Sequence, residues 1–143
     1  VVLSGGGTTT LTAADSGAYC IFNVAAASNF TLPAPKLGMH FTFIQTIINT
    51  ADHVIQAATN DHGFLGGVTL TNTTADQTDT FSTATDGNND FITLNATTTG
   101  GAAAGSIIEV VAILDSSAAK CWAVSGNLIC SGAGATPFGD AQI

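Results

Sequence analysis

The sequence predicts an all-β fold, a single-domain antiparallel β-sandwich or barrel with very little helix. Three observations lead to this prediction. The 143 residues suit one domain with a sizeable core. The apolar stretches are rich in Val, Ile and Phe, which favour strands. Gly and Thr interrupt these stretches at the spacing of about 8–12 residues that is typical of sandwiches and barrels. Strand order is not determined, so a jelly roll, an immunoglobulin-like sandwich and a looser barrel all remain open.

The first half of the chain contains two strand candidates with clear alternation. Residues 18–24 place Tyr19 and Ile21 on one face, and the other face carries Cys20, Phe22 and Val24. Residues 39–48 form the longest candidate, because apolar and polar side chains alternate along them. Between the two, a short extended piece at 30–32 ends at a Pro-x-Pro segment, since proline cannot donate to a β-ladder.

The second half continues in the same way. Its candidates are 54–58, 67–72, 78–83, 90–95, 106–114, 120–125 and 128–131. Asp86-Gly87 is a strong turn signal, and Ser-Gly-Asn at 125–127 predicts the tight turn of a last hairpin. The segment 106–114 could be a buried helix, but its β-branched residues and the glycines before it favour a strand.

The two ends of the chain lack strand periodicity. We therefore predict a flexible N-terminal arm at 1–10, a β domain at 11–131 and an extended C-terminal tail at 132–143. Phe138 stands alone in a tail of small residues, so it has no evident core within the chain. Arms of this kind can become ordered against a neighbouring protein.

Charge excludes two classes of partner. Two lysines and no arginine stand against ten acidic residues, which gives a net charge of −8. A phosphate backbone and an anionic membrane surface both repel such a chain. No apolar run reaches the roughly 18–20 residues that a bilayer span needs. We expect neither a nucleic-acid nor a membrane partner.

Motifs for catalysis are missing from the sequence. It contains no Gly-x-Ser-x-Gly elbow, no His-Glu-x-x-His and no phosphate-binding glycine loop that ends in lysine. The one glutamate, Glu109, lies inside an apolar run, and His40 stands alone. His53, Asp61 and His62 could share a metal, but a solvated loop is the better interpretation. We expect no enzyme activity, no catalytic residue and no cofactor.

One further segment offers metal-ligand chemistry. Asp86, Asn88 and Asp90 place oxygen side chains at alternate positions, as the first half of an EF-hand loop does. The glycine at the sixth position and the acid at the twelfth are absent. We therefore interpret the segment as a hairpin turn rich in Asp and Asn, and we predict no metal site.

Three cysteines cannot form a closed set of disulfides within one chain. Cys121 and Cys130 lie near opposite ends of the apparent hairpin, so a bridge between them is conceivable and would leave Cys20 free. The favoured interpretation is that all three are small buried apolar residues, since cysteine is among the most buried residue types.

Several segments taken together resemble a known class of proteins. Residues 10–17 read TLTAADSG, residues 30–38 read FTLPAPKLG, residues 41–44 read FTFI, and residues 121–126 read CWAVSG. Their order and spacing resemble small virion proteins of tailed bacteriophages, especially phages of marine and freshwater bacteria. The resemblance covers nearly the whole chain, and its motifs are structural. It implies an Asx-type turn at 15–17.

The resemblance implies a β-rich capsid decoration (cement) protein on the outer surface of the virion head. Its partner would be the major capsid protein, and it would form a homo-oligomer, expected to be a trimer. The alternative is a fibre or head-fibre domain that binds host-surface glycan through Trp122. A solvent-facing Trp122 would favour glycan binding, and a buried one would favour the decoration role. The residues expected to contact partners are Val1, Val2, Leu3, Thr136, Pro137, Phe138 and Ile143.

Overall fold

The structure is a computed structural model that describes residues 1–84, 88–116 and 120–140. In these ranges the chain forms twelve strands and one turn of 3-10 helix at Ala13–Asp15. The strands are β1 (Val2–Gly5), β2 (Gly7–Thr10), β3 (Tyr19–Phe22), β4 (Ser28–Thr31), β5 (His40–Gln45), β6 (His53–Gln56), β7 (Gly63–Asn72), β8 (Gln77–Ser82), β9 (Phe91–Leu94), β10 (Ile107–Ala112), β11 (Lys120–Cys130) and β12 (Phe138–Gly139). The predicted turn at Asp86-Gly87 lies outside the described residues.

The strands form two packed sheets, which confirms the all-β sandwich. The larger sheet has the order β1-β3-β5-β10-β11-β7-β8, and the smaller sheet has the order β12-β9-β6-β4-β2. The prediction of a purely antiparallel arrangement is wrong, because both sheets are mixed. The first six strands alternate between the two sheets. Each return to a sheet therefore brings the chain back in the same direction, and these neighbours pair in parallel.

The core lies between the two sheets and is built by the alternation of side chains. In β5, Phe41 and Phe43 are buried, and in β10, Ile108 and Val110 are buried, while the residues between them face outward. Aromatic rings pack against each other between the two sheets. Phe30 of the smaller sheet makes an edge contact with Phe43 of the larger sheet, with 5.5 Å between the ring centres. The alternation predicted for β5 is confirmed, and so is the strand predicted at 106–114.

The expected turn before β3 is present in a modified form. The Asp15 carboxylate accepts hydrogen bonds of 2.8 Å from both the backbone N–H and the hydroxyl of Thr12. These bonds hold the pKa of Asp15 below its usual range. They close a capping box over the 3-10 turn. Gly17 follows with φ +88 and directs the chain into β3.

The predicted hairpin at 125–127 is wrong, because β11 runs through it as one strand of 11 residues. β11 pairs with β10 on one side and with β7 on the other. A Cβ at Gly126 would strike the carbonyl oxygen of Ile107. The glycine therefore permits a close approach of two strands and does not mark a turn.

The N-terminal segment also differs from the prediction. Residues 1–10 are not a free arm, because β1 pairs in parallel with β3 and β2 pairs in parallel with β4. Three consecutive glycines carry the chain from the larger to the smaller sheet. A Cβ at Gly5 would lie 2.7 Å from the Ser28 hydroxyl and 2.9 Å from the Phe30 ring, and Gly7 has φ +71. Alternation is absent here because the segment is short, rich in glycine and threonine, and lies at the sheet edges.

The C-terminal segment packs back onto the domain. In β12, Phe138 pairs with Ile92 of β9, and the Pro137 carbonyl accepts a 2.9 Å hydrogen bond from the Thr93 N–H. Phe138 is 7% exposed and belongs to the core. The expectation that this ring lacks a core within the chain is wrong. Ile143 lies outside the described residues.

Candidate functional site

The most distinctive surface is the outer face of the larger sheet. In β10, Ile107 and Val111 alternate with the buried core residues and remain 44% and 40% exposed. Cross-strand registers place further side chains beside them. One such row crosses all seven strands through Ser4, Ile21, Ile44, Ile107, Asn127, Thr69 and Thr80.

This outer face has two halves of different chemistry. The half built on β3, β5 and β10 is mostly apolar, and Tyr19 is 50% exposed there. Its polar members are His40, Thr42 and Glu109. The half built on β11, β7 and β8 carries hydroxyl and amide groups. In it, the Asn127 amide donates hydrogen bonds of 2.8 and 3.0 Å to the hydroxyls of Thr69 and Thr71. These polar groups are uncharged, and they hydrogen-bond to one another.

Charge is nearly absent from the outer face. Among the described strand residues that alternate outward from the larger sheet, Glu109 is the one carboxylate. A nearly uncharged, half-apolar face is a poor match for a highly charged ligand. It suits close packing against another protein, because such a partner would have to accommodate a single described carboxylate, that of Glu109.

The apolar half continues past the end of β10. Ile113 and Leu114 are 36% and 46% exposed, and Leu37 is 72% exposed. The Asp115 carboxylate accepts a 2.9 Å hydrogen bond from the Leu37 N–H, which fixes the Leu37 loop beside this end of the sheet. Contiguous apolar surface of this kind marks interaction sites on proteins.

Trp122 is not part of any surface. Its side chain is fully buried beside Phe41, with ring centres 6.1 Å apart. Its Nε1–H has no hydrogen-bond partner within the described residues. The proposed role of Trp122 as a glycan platform is therefore wrong for this conformation, because no face of the indole reaches solvent.

The predicted partner-binding residues are only partly accessible. Val1 and Val2 are 83% and 66% exposed, and Thr136 is also exposed. Leu3 packs against the core from the edge of the sheet, and Phe138 belongs to the core. Pro137 is buried as well. A tail that is anchored by its own domain cannot use Phe138 to hold a neighbour.

The predicted metal candidates are not brought together. Asn88 is exposed and Asp90 is fully buried, while Asp86 lies outside the described residues. Asp61 is exposed, whereas the buried His62 has its Nε2 atom 3.2 Å from the Ser116 carbonyl. Across the described ranges, no group of three or more His, Cys, Asp or Glu side chains could hold a metal ion.

His53 is a structural residue of the core. Its ring stacks on Phe22 at 4.7 Å between ring centres, and its Nε2 lies 2.9 Å from the Val24 carbonyl and 3.2 Å from the Ala26 carbonyl. Carbonyls only accept hydrogen bonds, so Nε2 carries the proton and Nδ1 is the bare nitrogen. Nδ1 is buried with no partner in the described structure. Burial lowers the pKa of His53, because a second proton would place an unsolvated charge in the core.

All three cysteines are buried and form no disulfide with one another, as the favoured interpretation predicted. Cys121 and Cys130 lie on the same strand, nine residues and therefore about 30 Å apart. A disulfide needs Cα atoms within about 7 Å. The conceivable bridge is therefore wrong. Burial raises the pKa of the Cys20 thiol to about 12 and also raises that of Cys130.

Two depressions were not foreseen from the sequence. One, of about 280 Å³, lies on the smaller sheet between β2, β4 and β6, where Asn29 and Asp52 meet Val54. The other, of about 520 Å³, opens beside β8 and is named the edge groove here. The edge groove is lined by Thr80, Phe81, Thr83, Asn89, Thr136 and Phe138. Its walls come from segments far apart in sequence, so local patterns give no signal for it.

Comparison with known proteins adds no relative. No family model, no curated protein and no solved structure matches the chain. In the described part of the chain, no helix has the length and apolar character needed to cross a membrane.

Proposed function

We propose that this chain is a structural protein of a tailed-phage virion, a capsid decoration protein that binds the major capsid protein on the outer surface of the head. It acts without catalysis, as a homo-oligomer that we expect to be a trimer. The observation that carries the proposal is the nearly uncharged outer face of the larger sheet. The resemblance of the sequence motifs to small phage virion proteins supports the same role.

The outer face is suited to docking on a protein shell. Ile107, Val111 and Tyr19 are exposed on rigid strands, so binding them costs little ordering of the chain. Glu109 lies near the centre of the face, on the middle strand β10, and is flanked across the sheet by Thr42 and Ser125, whose hydroxyls can donate hydrogen bonds to it. The acidic residues that give the charge of −8 lie mostly away from this face.

The flat area of the outer face is smaller than one side of a standard protein interface. Six inter-strand spacings of about 4.8 Å give a width of about 29 Å, and five residues give a height of about 16 Å. The flat area is therefore about 460 Å², against roughly 800 Å² per partner in a standard interface. Projecting side chains and the Leu37 loop add to this flat area. Many copies on a symmetric shell would add their contacts through multivalency.

Glycan binding is the weaker alternative. It depended on a solvent-facing Trp122, and Trp122 is fully buried. Trp122 instead fills the core beside Phe41.

The test is co-sedimentation with heads that lack this protein. Val111→Lys places a charge in the apolar half of the outer face, and Thr10→Lys places the same charge on the smaller sheet as a matched control. Both side chains are solvent-exposed, so both variants should keep the β signal in circular dichroism. We expect the unmodified chain and Thr10→Lys to sediment with heads, and Val111→Lys to bind at least about ten-fold more weakly.

Two results would contradict the proposal. If the unmodified chain stays in the supernatant with heads but binds cells or glycans, the decoration role is wrong and the fibre role replaces it. If Val111→Lys and Thr10→Lys bind equally well, the outer face is not the docking surface.

A further inference from the structure

The two ends of the larger sheet are open edges. β1 lies at one end and β8 at the other, and neither pairs on its outer side with another strand of the described residues. An unpaired edge exposes a row of backbone N–H and C=O groups, which is a template for pairing with another chain. The natural partner of such an edge is a strand with matching direction, shape and charge.

The core is incomplete at the same two edges. Two partly buried hydrophobic residues pack against the core, Leu3 on β1 and Phe81 on β8. Phe81 also forms a wall of the edge groove of about 520 Å³. The groove has room for a side chain from an added strand, and such a side chain would cover Phe81. At the opposite edge of the sheet, the apolar side chain of Leu3 is likewise only partly buried.

The directions of the strands match. β1 runs parallel to β3 and β5, and β10 runs opposite to β5. β11 runs opposite to β10, β7 runs parallel to β11, and β8 runs opposite to β7. β8 therefore runs opposite to β1. When the β1 edge of one copy lies beside the β8 edge of another, the two strands form an antiparallel pair, the more stable arrangement.

Charge selects this pairing over a symmetric one. The first charged side chain of the sequence is Asp15, so β1 carries none, whereas β8 carries Asp79. Two β8 edges facing each other would bring their Asp79 carboxylates together, and like charges across a strand pair are destabilising. A β1 edge can approach β8 without this repulsion, although each copy has a net charge of −8.

We propose that copies of this chain associate edge to edge, with β1 of one copy added beside β8 of the next and Leu3 inserted against Phe81 in the edge groove. The contact is heterologous, so repeated copies close into a ring or extend as a fibre. A ring of three copies would be the trimer of the proposed function. The inference rests on that proposed function for the number of copies.

The experiment uses cysteine pairs in the isolated full chain. Ser4→Cys is combined in turn with Thr78→Cys, Thr80→Cys and Ser82→Cys, which lie on the same outward side of β8 and scan three registers. Opposed residues in an antiparallel pair are close enough for a disulfide. Ser4→Cys with Thr42→Cys, at mid-sheet, is the matched control. The native cysteines are buried, so they should not contribute to crosslinking.

We expect light scattering to report an oligomer and one of the three pairs to give covalent dimers and trimers on a denaturing gel after mild oxidation. The control pair and each single variant should stay monomeric on the gel. A monomer in light scattering, or no crosslinking by any of the three pairs, overturns the inference. Crosslinking by Ser4→Cys alone would mean that β1 pairs with β1, which also overturns it. No heads are present, so this result is separate from the sedimentation test of the proposed function.

Discussion

Phe138→Ala tests whether the C-terminal segment belongs to the domain. The ring is 7% exposed, lies within the core and stands on β12, which pairs with β9. Truncating a buried phenylalanine to alanine costs about 3–5 kcal/mol, from lost transfer free energy and from the cavity that remains. β12 has two residues and lies at the edge of the smaller sheet, so detachment of this strand limits the loss. We therefore expect a decrease of about 3 kcal/mol in the free energy of unfolding.

The assay is urea unfolding followed by the fluorescence of Trp122, which is buried in the native state. Leu37→Ala is the matched control, because Leu37 is a large apolar residue that is 72% exposed. We expect the control to change stability by no more than about 0.5 kcal/mol. If Phe138→Ala also costs less than about 0.5 kcal/mol, the ring is not a core residue. The segment would then be free to bind a neighbour, as the sequence alone suggested.

The remaining predictions concern the core and one close strand contact. Gly126→Ala should lower the free energy of unfolding in urea by about 2 kcal/mol, because the new Cβ meets the Ile107 carbonyl. The control is Gly38→Ala, where φ is +86 but the space is open, and it should cost about 1 kcal/mol. Equal costs would contradict the steric explanation. Burial lowers the pKa of His53 below 6.5, so the unfolded chain takes up a proton in the window just below pH 6.5 and the native state does not. Stability should thus be full above pH 6.5 and decrease as the pH falls through that window, and His53→Phe should remove this decrease; a decrease of unchanged size in the variant would assign it to other groups. Burial raises the pKa of Cys20 to about 12, so a thiol reagent at pH 8 should label the native protein more than about a hundred-fold more slowly than the urea-unfolded chain, and rapid native labelling would contradict its burial.

The sequence predicts a strand best where one face of the strand is buried and the other is exposed to solvent. Residues 39–48 show this alternation and contain a strand with the expected faces at His40–Gln45. Residues 106–114 are a nearly continuous apolar run, so β-branched residues predict the strand at Ile107–Ala112 but not which side chains face outward. The same logic fails at 1–10, where two short strands at sheet edges bury little and show no period. Parallel pairing of the first six strands is likewise hidden from sequence, because it arises from the alternation of the chain between two sheets.

The errors about sites have a common physical origin. Gly126 was interpreted as a turn residue because glycine suits turns, yet it also permits two strands to approach closely. Phe138 has only small residues as sequence neighbours, and its core partners come from distant strands. The exposure of Trp122 could not be read from its strand, because a bulge between Lys120 and Trp122 shifts the alternation there. The outer face was not predicted, because the apolar run at 106–114 has no period that distinguishes its outward from its inward residues.

The three glycines at 5–7 connect β1 with β2, so one short stretch of chain supplies an edge strand to each sheet. β1 lies in parallel beside β3 and β2 in parallel beside β4, within nine residues. A pull along this stretch would load both ladders in shear, since the hydrogen bonds of each ladder lie across the direction of force and share it. The two layers would therefore resist tension together at this margin. A shell protein under stretching load would gain rigidity from that shared margin without any additional covalent link.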